Sequence, residues 1–518
     1  MTIVSGQVTV TDSQGNASAA AFQFTVGEPT AGVDRELTGY QPDGFTVPAG
    51  QTWEIKGLVE TPKNVVVEGI LRMRPGATLR FVNVSESSYV GGGMEVLESD
   101  VGLWVIDDGI LDAEGTAKTS WTREPASAMG WLPSDSFVIL PTAPGDERVR
   151  EWRPGDAVPQ AYPDVPPAEV VNLTRDVVIE GTPGGRSHVM FLMNRRPQRI
   201  SFVEFRHLGP RQGASNVVGR WPLHFHHCMD DVRGSVVDGC VAHDIGSHAF
   251  VAHASNGVTF RECSVVRGIG EALWWDPPDR SNDIAFDRCL VADMDAEADP
   301  ESFHRMAGWR HGDGSGCSLI GCVMAGIRGG SGTSGYVWPG QPKDPWIFRD
   351  CVSHNIRNAA FWWQNNIEGP GHVSEGFLAY NTGPFLQGAY RNHVRHTGMV
   401  LRGSFYEQHA GGVQDRVTGQ LQGGERMDVD AVGRHEYALL VTGSVQSSEA
   451  PTVFTDCDFR GGTRGVVGIR ANEIPREIRF VRCTTAGREL EASDFVRESG
   501  GSVVIVVEAL DGSSFAVD

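Results

Sequence analysis

The 518-residue sequence is short of positive charge and of long apolar runs. Lys and Arg total 44 against 65 Asp and Glu, which gives a net charge of -21. Binding nucleic acid through a basic patch requires surplus cations for phosphate contact, so we exclude that class. No run of 18 or more apolar residues is present, so we expect no membrane span. The first 26 residues lack a charged segment followed by an apolar one, so no signal peptide is visible.

Glycine and short β-type phrases are abundant instead. The chain has 64 glycines, well above the usual share of ~7%. Apolar and polar residues alternate with a period of two in phrases such as 52–60 and 65–73, and no stretch keeps a helical period for long. Only 21% of residues are charged, and leucine is sparse beside valine. We therefore predict an all-β protein rather than a helical bundle or coiled coil.

The nine cysteines show no CxxC spacing of the zinc-ribbon kind. Seven of them close a short strand-like phrase, and most follow the previous one after 23–33 residues: Cys240, Cys263, Cys289, Cys322, Cys351, Cys457 and Cys483. Small apolar residues that recur evenly indicate one inward position per structural repeat rather than disulfides. We predict buried free thiols.

Each repeat from about residue 173 onward has the pattern strand, turn, strand, turn, strand, as in 240–263 and 263–289. A unit this short cannot bury its apolar face alone, but stacked units bury a continuous core. Propeller blades of ~40 residues do not fit this spacing. The predicted fold is a right-handed parallel β-helix. We predict five segments: a β-hairpin or docking module (1–34), a small β-rich domain (35–125), an irregular connection (126–172), the parallel β-helix (173–405), and further coils or a β-rich cap (406–518).

Stacking brings residues at equal offsets in successive coils to ~4.8 Å from one another. Offsets of three, eight and thirteen residues from the cysteines therefore predict three columns of polar side chains. These columns are His243 with His354, His248 with Glu271, and His253 with Asp276 and Gln364.

The densest group of candidate residues is Arg220, His224, His226 and His227, with His207 one phrase earlier. In a regular strand, residues 224 and 226 share a face and 227 points to the opposite one. Three histidines with an arginine are costly to bury without partners, which favours function over simple hydrogen bonding along a ladder. Three imidazoles also suit a transition metal, and the metal stays open.

Two cleavage chemistries fit these residues on paper. A glycoside hydrolase needs two carboxyls about 5 Å apart or more, for which Glu271 and Asp276 are the nearest pair. A lyase needs a base for the proton alpha to a uronate carboxylate and a cation to neutralise that carboxylate, and His226 and Arg220 fit. The candidate catalytic residues are Arg220, His224, His226, His248, Glu271 and Asp276.

The candidate substrate-binding residues are Trp274, Trp275, Arg310 and His311. The tryptophans suit stacking on a sugar ring or, equally, packing within the wall. Arg310 and His311 lie on an insertion between Cys289 and Cys317, and insertions in a solenoid tend to build binding surfaces. The same insertion holds acidic residues that suit either calcium or a solvated loop: Asp293, Asp295, Glu297, Asp299 and Glu301.

Two stretches resemble a known family. GFTVPAGQTWEI, VVVEGILRMRPGATLRF and GILDAEGTAKTSWTR, within 44–123, resemble the G8 domain, whose usual exit is matched by Gly115, Lys118 and the residues 120–123. VEFRHLGP (203–210) and GRWPLHFHHC (219–228) resemble G8-plus-β-helix proteins of the cell-migration-inducing hyaluronan-binding and transmembrane hyaluronidase type. The resemblance implies a secreted or surface β-helix that acts on hyaluronan, with calcium. The sequence departs from that family at 268–276, GIGEALWWD.

Two functions follow as hypotheses. The first is an enzyme, hydrolase or lyase, that binds and cleaves an extracellular or surface polysaccharide. The second is a non-catalytic phage minor tail or tailspike-like virion protein that attaches to a host glycan, as a homotrimer or in a larger assembly. The expected location is extracellular or in a virion. Hyaluronan is a polyanion, so its binding would need a local basic patch such as Arg195, Arg196 and Arg199, or Arg206 with Arg211.

Overall fold

The computed structural model is almost entirely β-structure. It describes residues 2–11, 17–26, 32–212, 215–274, 280–295, 307–310, 314–328, 334–338, 346–356, 359–363, 372–383, 385–388, 394–403, 417–420, 426–429, 437–443, 452–461, 464–471, 477–497 and 504–517. The helices found in these ranges are short 3-10 turns: Glu86–Ser88, Pro125–Ser127 and Ala492–Asp494. None of the described helices has the length and hydropathy that a membrane crossing requires.

Each coil of the molecule contributes one strand to each of three walls. In one coil these strands are Leu223–Met229, Val236–Asp238 and Val241–His243. Each pairs in parallel with the corresponding strand of the next coil, for example Leu223 with Phe250 and Val236 with Thr259. This arrangement confirms the predicted parallel β-helix.

The first wall is a 14-stranded sheet. Its strands are Phe45–Val47, Val65–Val67, Leu103–Ile106, Val189–Leu192, Leu223–Met229, Phe250–Ser255, Leu273–Trp274, Ala307–Arg310, Ser334–Trp338, Ala359–Trp363, Phe385–Gly388, Leu439–Gly443, Val467–Ala471 and Phe495–Arg497.

The second and third walls together form a 29-stranded sheet, because Thr52–Thr61 pairs with Ile70–Met73 of one wall and then with Thr78–Phe81 of the other. Arg35–Tyr40 pairs with Thr52–Thr61 at the start of this sheet.

The second wall contains Ile70–Met73, Ile110–Glu114, Arg199–Ser201, Val236–Asp238, Thr259–Arg261, Ala285–Asp287, Ser318–Ile320, Ile347–Arg349, His372–Glu375, Val394–Thr397, Thr452–Thr455, Glu477–Val481, Val504–Glu508 and Ser514–Val517. The third wall contains Thr78–Phe81, Val177–Glu180, Val203–Arg206, Val241–His243, Ser264–Gly268, Leu290–Asp295, Val323–Arg328, Val352–Ile356, Leu378–Thr382, Val400–Gly403, Asp458–Gly461, Thr484–Thr485 and Arg488–Glu489.

The core fills the space inside the three walls and runs continuously along the coils. Inward aromatic residues stack between neighbouring coils, as Phe191 does on Phe225 with ring centroids 4.6 Å apart. All nine cysteines are free and buried, which confirms the prediction of an inward thiol ladder. At the corner between the second and third walls each thiol lies beside a carbonyl of an earlier coil, as the Sγ of Cys263 does with the oxygen of Val237 at 3.4 Å.

The walls begin well before residue 173. Strands within 35–125 belong to the same sheets as those of 173–405, and strands within 437–497 continue them. The stretch 126–172 contributes to a small antiparallel sheet of Trp121–Thr122, Phe137–Ile139, Arg150–Trp152 and Val170–Asn172. Three antiparallel pairs complete the described structure: Thr2–Thr11 with Ala17–Val26, Arg211–Gln212 with Ser215–Asn216, and Val417–Gln420 with Arg426–Val429.

Candidate functional site

Imidazoles gather on the outer face of the first wall. In the strand Leu223–Met229 the side chains of Leu223 and Phe225 belong to the core, so His224 and His226 face outward. His226 lies opposite His253 of the next coil. Their Nδ1 atoms are 3.1 Å apart, and the rings of His224 and His226 have centroids 4.8 Å apart. The sequence spacing thus predicted that His224 and His226 share a face, and the stacking of the next coil adds His253.

His227 joins the same face, contrary to the prediction that it points to the opposite one. The pairing register shifts between His226 and Met229, and His227 has a left-handed φ of 52°. This bulge turns the side chain back toward the outer face. The His227 ring centroid lies 4.6 Å from those of both His226 and His253.

Burial disfavours protonation of His224 and His226. Desolvation, followed by repulsion from His253, His227 and Arg220, lowers the pKa of His226 to about 3. Desolvation and the same kind of repulsion lower the pKa of His224 well below its ordinary value. His226 and His253 each keep 9% of their surface exposed, whereas His224 is fully buried. His224 and His226 are therefore weak bases with neutral rings.

A second polar cluster, which contacts the imidazoles through Trp221, is fully buried. The Glu271 carboxylate accepts a hydrogen bond from Arg310 Nη1 at 2.9 Å and lies 3.2 Å from His248 Nδ1. Gly270 makes this approach possible: its φ is +98°, and a Cβ there would lie 3.0 Å from His248 Nδ1. His248 and Glu271, which their equal offsets from the cysteines placed in one column, are therefore in direct contact.

Two tryptophans connect the clusters. The Trp221 ring lies 4.2 Å from that of His224 and 5.0 Å from that of Trp274, centroid to centroid. Trp274 in turn lies 4.1 Å from His248. Trp274 is only 2% exposed, so it packs within the wall and offers no open face to a sugar ring. Of the two readings of Trp274, packing is the one that the structure supports.

Arg220 is also committed to a buried partner. Its Nε donates to Asp100 at 2.7 Å, its Nη2 donates to the carbonyl oxygen of Gly92, and its guanidinium lies 4.7 Å from the Trp104 ring centroid. The side chain is 1% exposed. Asp100 already balances its charge, so Arg220 is not placed to neutralise a substrate carboxylate. Sequence reasoning missed Asp100, because nothing in its local spacing links it to a residue 120 positions away.

Comparison with known proteins points to the segment that carries most of both clusters. Residues 184–294 match the family model described as CEMIP beta-helix. The segment is CEMIP-like. Cell surface hyaluronidase CEMIP2 from Homo sapiens is 33% identical over 119 residues, which cover 18% of this chain and only 8% of that protein. The solved tailspike protein gp49 from Pseudomonas phage LKA1 aligns with 90% of this chain and 74% of its own at 11% identity, with a TM-score of 0.21.

The CEMIP-like segment holds most of the gathered residues: His224, His226, His248, His253 and Glu271. Arg310 lies beyond it and joins through its bond to Glu271. Three predicted site residues, Trp275, Asp276 and His311, and also Gln364, lie outside the described residues. The G8 resemblance over 44–123 stays a prediction.

Other predicted histidines lie on the third wall. His243 is 3.1 Å from Glu204 and 2.6 Å from Asp244. His354 is 3.2 Å from Glu169 of the small antiparallel sheet region. His207 follows the third-wall strand Val203–Arg206 and is hydrogen-bonded to the backbone of Asp244. These contacts give the three histidines structural roles apart from the first-wall group.

The described acidic residues of the predicted calcium loop do not fit calcium. Asp293 is bound by Arg328 Nη1, and Asp295 accepts from Arg328 Nη2 at 2.9 Å. Calcium takes six to eight oxygen ligands, and here an arginine occupies the carboxylates. Glu297, Asp299 and Glu301 lie outside the described residues.

Proposed function

We propose that this protein binds an acidic extracellular polysaccharide of the hyaluronan class on the outer face of the first wall and cleaves it beside His226 and His253. One observation carries the proposal: the CEMIP-like segment 184–294 holds the imidazole group and most of the buried Glu271 cluster. A relative that matches part of this chain is named a hyaluronidase. The proposed location is the cell exterior or a virion surface.

In this proposal the residues of the two clusters have different roles. His226 and His253 keep part of their surface open, so they are the groups that a substrate can touch. Glu271, Arg310 and His248 are fully buried, and they act as positioning residues through Trp274 and Trp221. A general base works best with a pKa near the working pH. An imidazole with a pKa of about 3 is too weak a base to act alone.

A second function, attachment to a glycan without cleavage, is favoured by a different observation. Glu271 is ion-paired with Arg310 and Asp100 with Arg220, and all four side chains are buried. The two open carboxyls of a hydrolase are not found among the described residues of these clusters. A tailspike-like or minor tail protein would attach to a glycan without cleaving it. Such a protein would be trimeric or part of a larger virion assembly.

In the predicted basic patches, carboxylates already pair with arginines that would otherwise bind a polyanion. Arg206 is bound to Glu180 and lies 3.0 Å from Glu204, and Arg195 lies 3.2–3.3 Å from Asp107 and Asp108. Since carboxylates already balance these charges, we expect weak, salt-sensitive binding unless the first wall supplies another cationic group.

The test incubates the protein with hyaluronan of defined length and measures polymer size by light scattering. A reducing-end assay detects hydrolysis, and ultraviolet absorbance of the unsaturated product detects elimination. We expect shortening by the unmodified protein and none by the His226→Ala/His253→Ala variant. His207→Asn on the third wall is the matched control and should cleave normally, because Asn tolerates the left-handed φ of 50° at that position.

Two results would change the conclusion. Saturable glycan binding without shortening would replace the enzyme by the attachment protein. Cleavage that persists unchanged in the double histidine variant would remove the first wall as the site.

A further inference from the structure

We propose that His224, His226 and His253 form a binding site for a transition-metal ion of the zinc type. One ligand nitrogen from each of the three residues lies within 4.8 Å of the other two. Among the described residues this is the group of three or more metal-ligating side chains that meets that spacing. The inference rests on these three side chains and does not depend on the proposed polysaccharide activity.

The His224 ring is already oriented as a metal ligand. Its Nδ1 donates to the carbonyl oxygen of Gly219 at 2.9 Å, which fixes the tautomer and leaves the Nε2 lone pair available. That Nε2 is buried and has no hydrogen-bond partner. A ligating histidine almost always donates its second ring nitrogen to a carbonyl or carboxylate in this way. A buried acceptor without a partner is costly, and a bound cation would satisfy it.

The His226 ring also has a backbone partner. It makes a hydrogen bond to the backbone of Gly93. The Nδ1 atoms of His226 and His253 lie 3.1 Å apart and share a hydrogen bond, whose proton a bound metal ion would displace. Two nitrogens bound to one tetrahedral zinc at 2.0–2.1 Å are about 3.3 Å apart. This pair therefore already has nearly the spacing of two ligands.

The third ligand requires a small adjustment. The widest separation in the group, 4.8 Å, exceeds the tetrahedral value by about 1.5 Å. Rotation of the His226 and His253 rings can close that gap, since each keeps 9% of its surface exposed while His224 keeps none. The exposed side of these two rings also gives the ion a route of entry.

The ligand chemistry selects the kind of metal. Calcium takes oxygen ligands, and this group offers only imidazole nitrogen, which suits zinc, copper, nickel or iron. The metal here would therefore differ from the calcium that the family resemblance implies. Three protein ligands leave a coordination position open to water or to a substrate oxygen. A dication at this place would also supply the positive charge that Arg220, bound to Asp100, does not.

The experiment measures metal binding by untagged, chelator-treated protein in the absence of polysaccharide. Zn²⁺ is titrated by calorimetry, and Co²⁺ is used as a spectroscopic probe of coordination. We expect one ion per chain and visible Co²⁺ bands of a low-coordinate nitrogen site. His226→Gln and His253→Gln should each weaken binding by at least about tenfold, since loss of an outer-shell partner alone costs ~10–100-fold.

Controls separate loss of the ligand from loss of the fold. Because Gln keeps a polar group at each position, circular dichroism and the unfolding midpoint of His226→Gln and His253→Gln should stay near those of the unmodified protein. His207→Asn, on the third wall, should bind Zn²⁺ as the unmodified protein does. Absence of a one-to-one Zn²⁺ complex, or equal affinity in the His226→Gln/His253→Gln double variant, would overturn the metal site whether or not hyaluronan is cleaved.

Discussion

Glu271 shows how much a single buried carboxylate supports in this wall. It binds Arg310 at 2.9 Å and lies 3.2 Å from His248, and all three are buried. Glu271→Gln keeps the shape but leaves the Arg310 charge without its anion. Breaking a buried ion pair in this way typically costs about 3–5 kcal/mol. We expect the free energy of unfolding, measured by urea denaturation, to fall by that order.

A second substitution tests the origin of the loss. In the variant Glu271→Gln/Arg310→Met the unpaired charge is removed as well, and replacing both members of a buried pair is often close to neutral. The double variant should therefore regain much of the lost stability. If Glu271→Gln alone is as stable as the unmodified protein, the ion pair does not hold this part of the wall.

Residue positions in the site were predictable where the coils stack without irregularity. His248 and Glu271 meet because equal offsets from Cys240 and Cys263 place them in one column. His227 was misplaced because a bulge at that point is not marked by any turn residue in the sequence. Asp100 could not be predicted as the partner of Arg220, since it comes from another coil and only the folded walls bring the two together.

In the described part of the second wall, one member of the inward aromatic column is titratable. His396 is paired in register with Phe454, and Phe454 with Phe480. The His396 ring stacks on Phe454 with centroids 4.9 Å apart. Desolvation lowers the pKa of His396 from 6.5 to about 3. The column therefore accepts the neutral ring and disfavours its protonation.

This column makes stability depend on pH in a defined direction. Because the folded pKa lies below the unfolded value of 6.5, the unfolded chain binds the proton first, and stability falls as pH drops from 6.5 toward 3. At pH 5 the loss is on the order of 2 kcal/mol. His396→Phe removes this term and preserves the stack, so the difference in unfolding free energy between pH 8 and pH 5 should shrink by that amount.

The reverse substitution is the matched control for the column. Phe454→His introduces a second buried imidazole in the next coil and should enlarge the difference between pH 8 and pH 5. The readout is the change with pH, which is insensitive to any constant packing loss. An unchanged pH dependence in His396→Phe would show that His396 is protonated in the folded protein or is not buried.

At the scale of the molecule, the regular cysteine spacing predicted the fold, but the local sequence pattern did not predict every connection between the walls. Cysteines at regular spacing indicated the coil length, because most coils place a buried thiol at the corner between the second and third walls, where two others place Phe377 and Met399. The strand Thr52–Thr61 has no counterpart among the repeats, and it bends from one wall into the next. The small antiparallel sheet around 126–172 was expected to be irregular, since its strands are short and its partners lie far away in sequence.

That small sheet region is tied to late coils by buried polar contacts. Glu169 lies 3.2 Å from His354 Nε2 and accepts from Arg123. Tyr162 donates to Asn381 at 2.7 Å. Burial alone would raise the pKa of Glu169, but His354 and Arg123 outweigh it and lower that pKa to about 2. The contacts to His354 and Asn381 span 185 and 219 positions, so they hold the coil stack as well as the sheet.

We expect His354→Ala to loosen this attachment without unwinding the walls. The buried Glu169 carboxylate loses one partner and keeps Arg123, so the cost should be about 1–3 kcal/mol. A folded pKa below the unfolded 4.5 stabilises above pH 4.5 and loses that effect between pH 4.5 and 2. With His354 removed the pKa of Glu169 rises, so loosening should begin at a higher pH.

Hydrogen exchange in the His354→Ala variant should then accelerate in Phe137–Ile139 and Val170–Asn172 while Leu223–Met229 stays protected. Arg150→Ala, which removes an exposed ion pair to Asp146 in the same region, should change exchange little, and equal effects of the two variants would mean that His354 does not anchor the sheet.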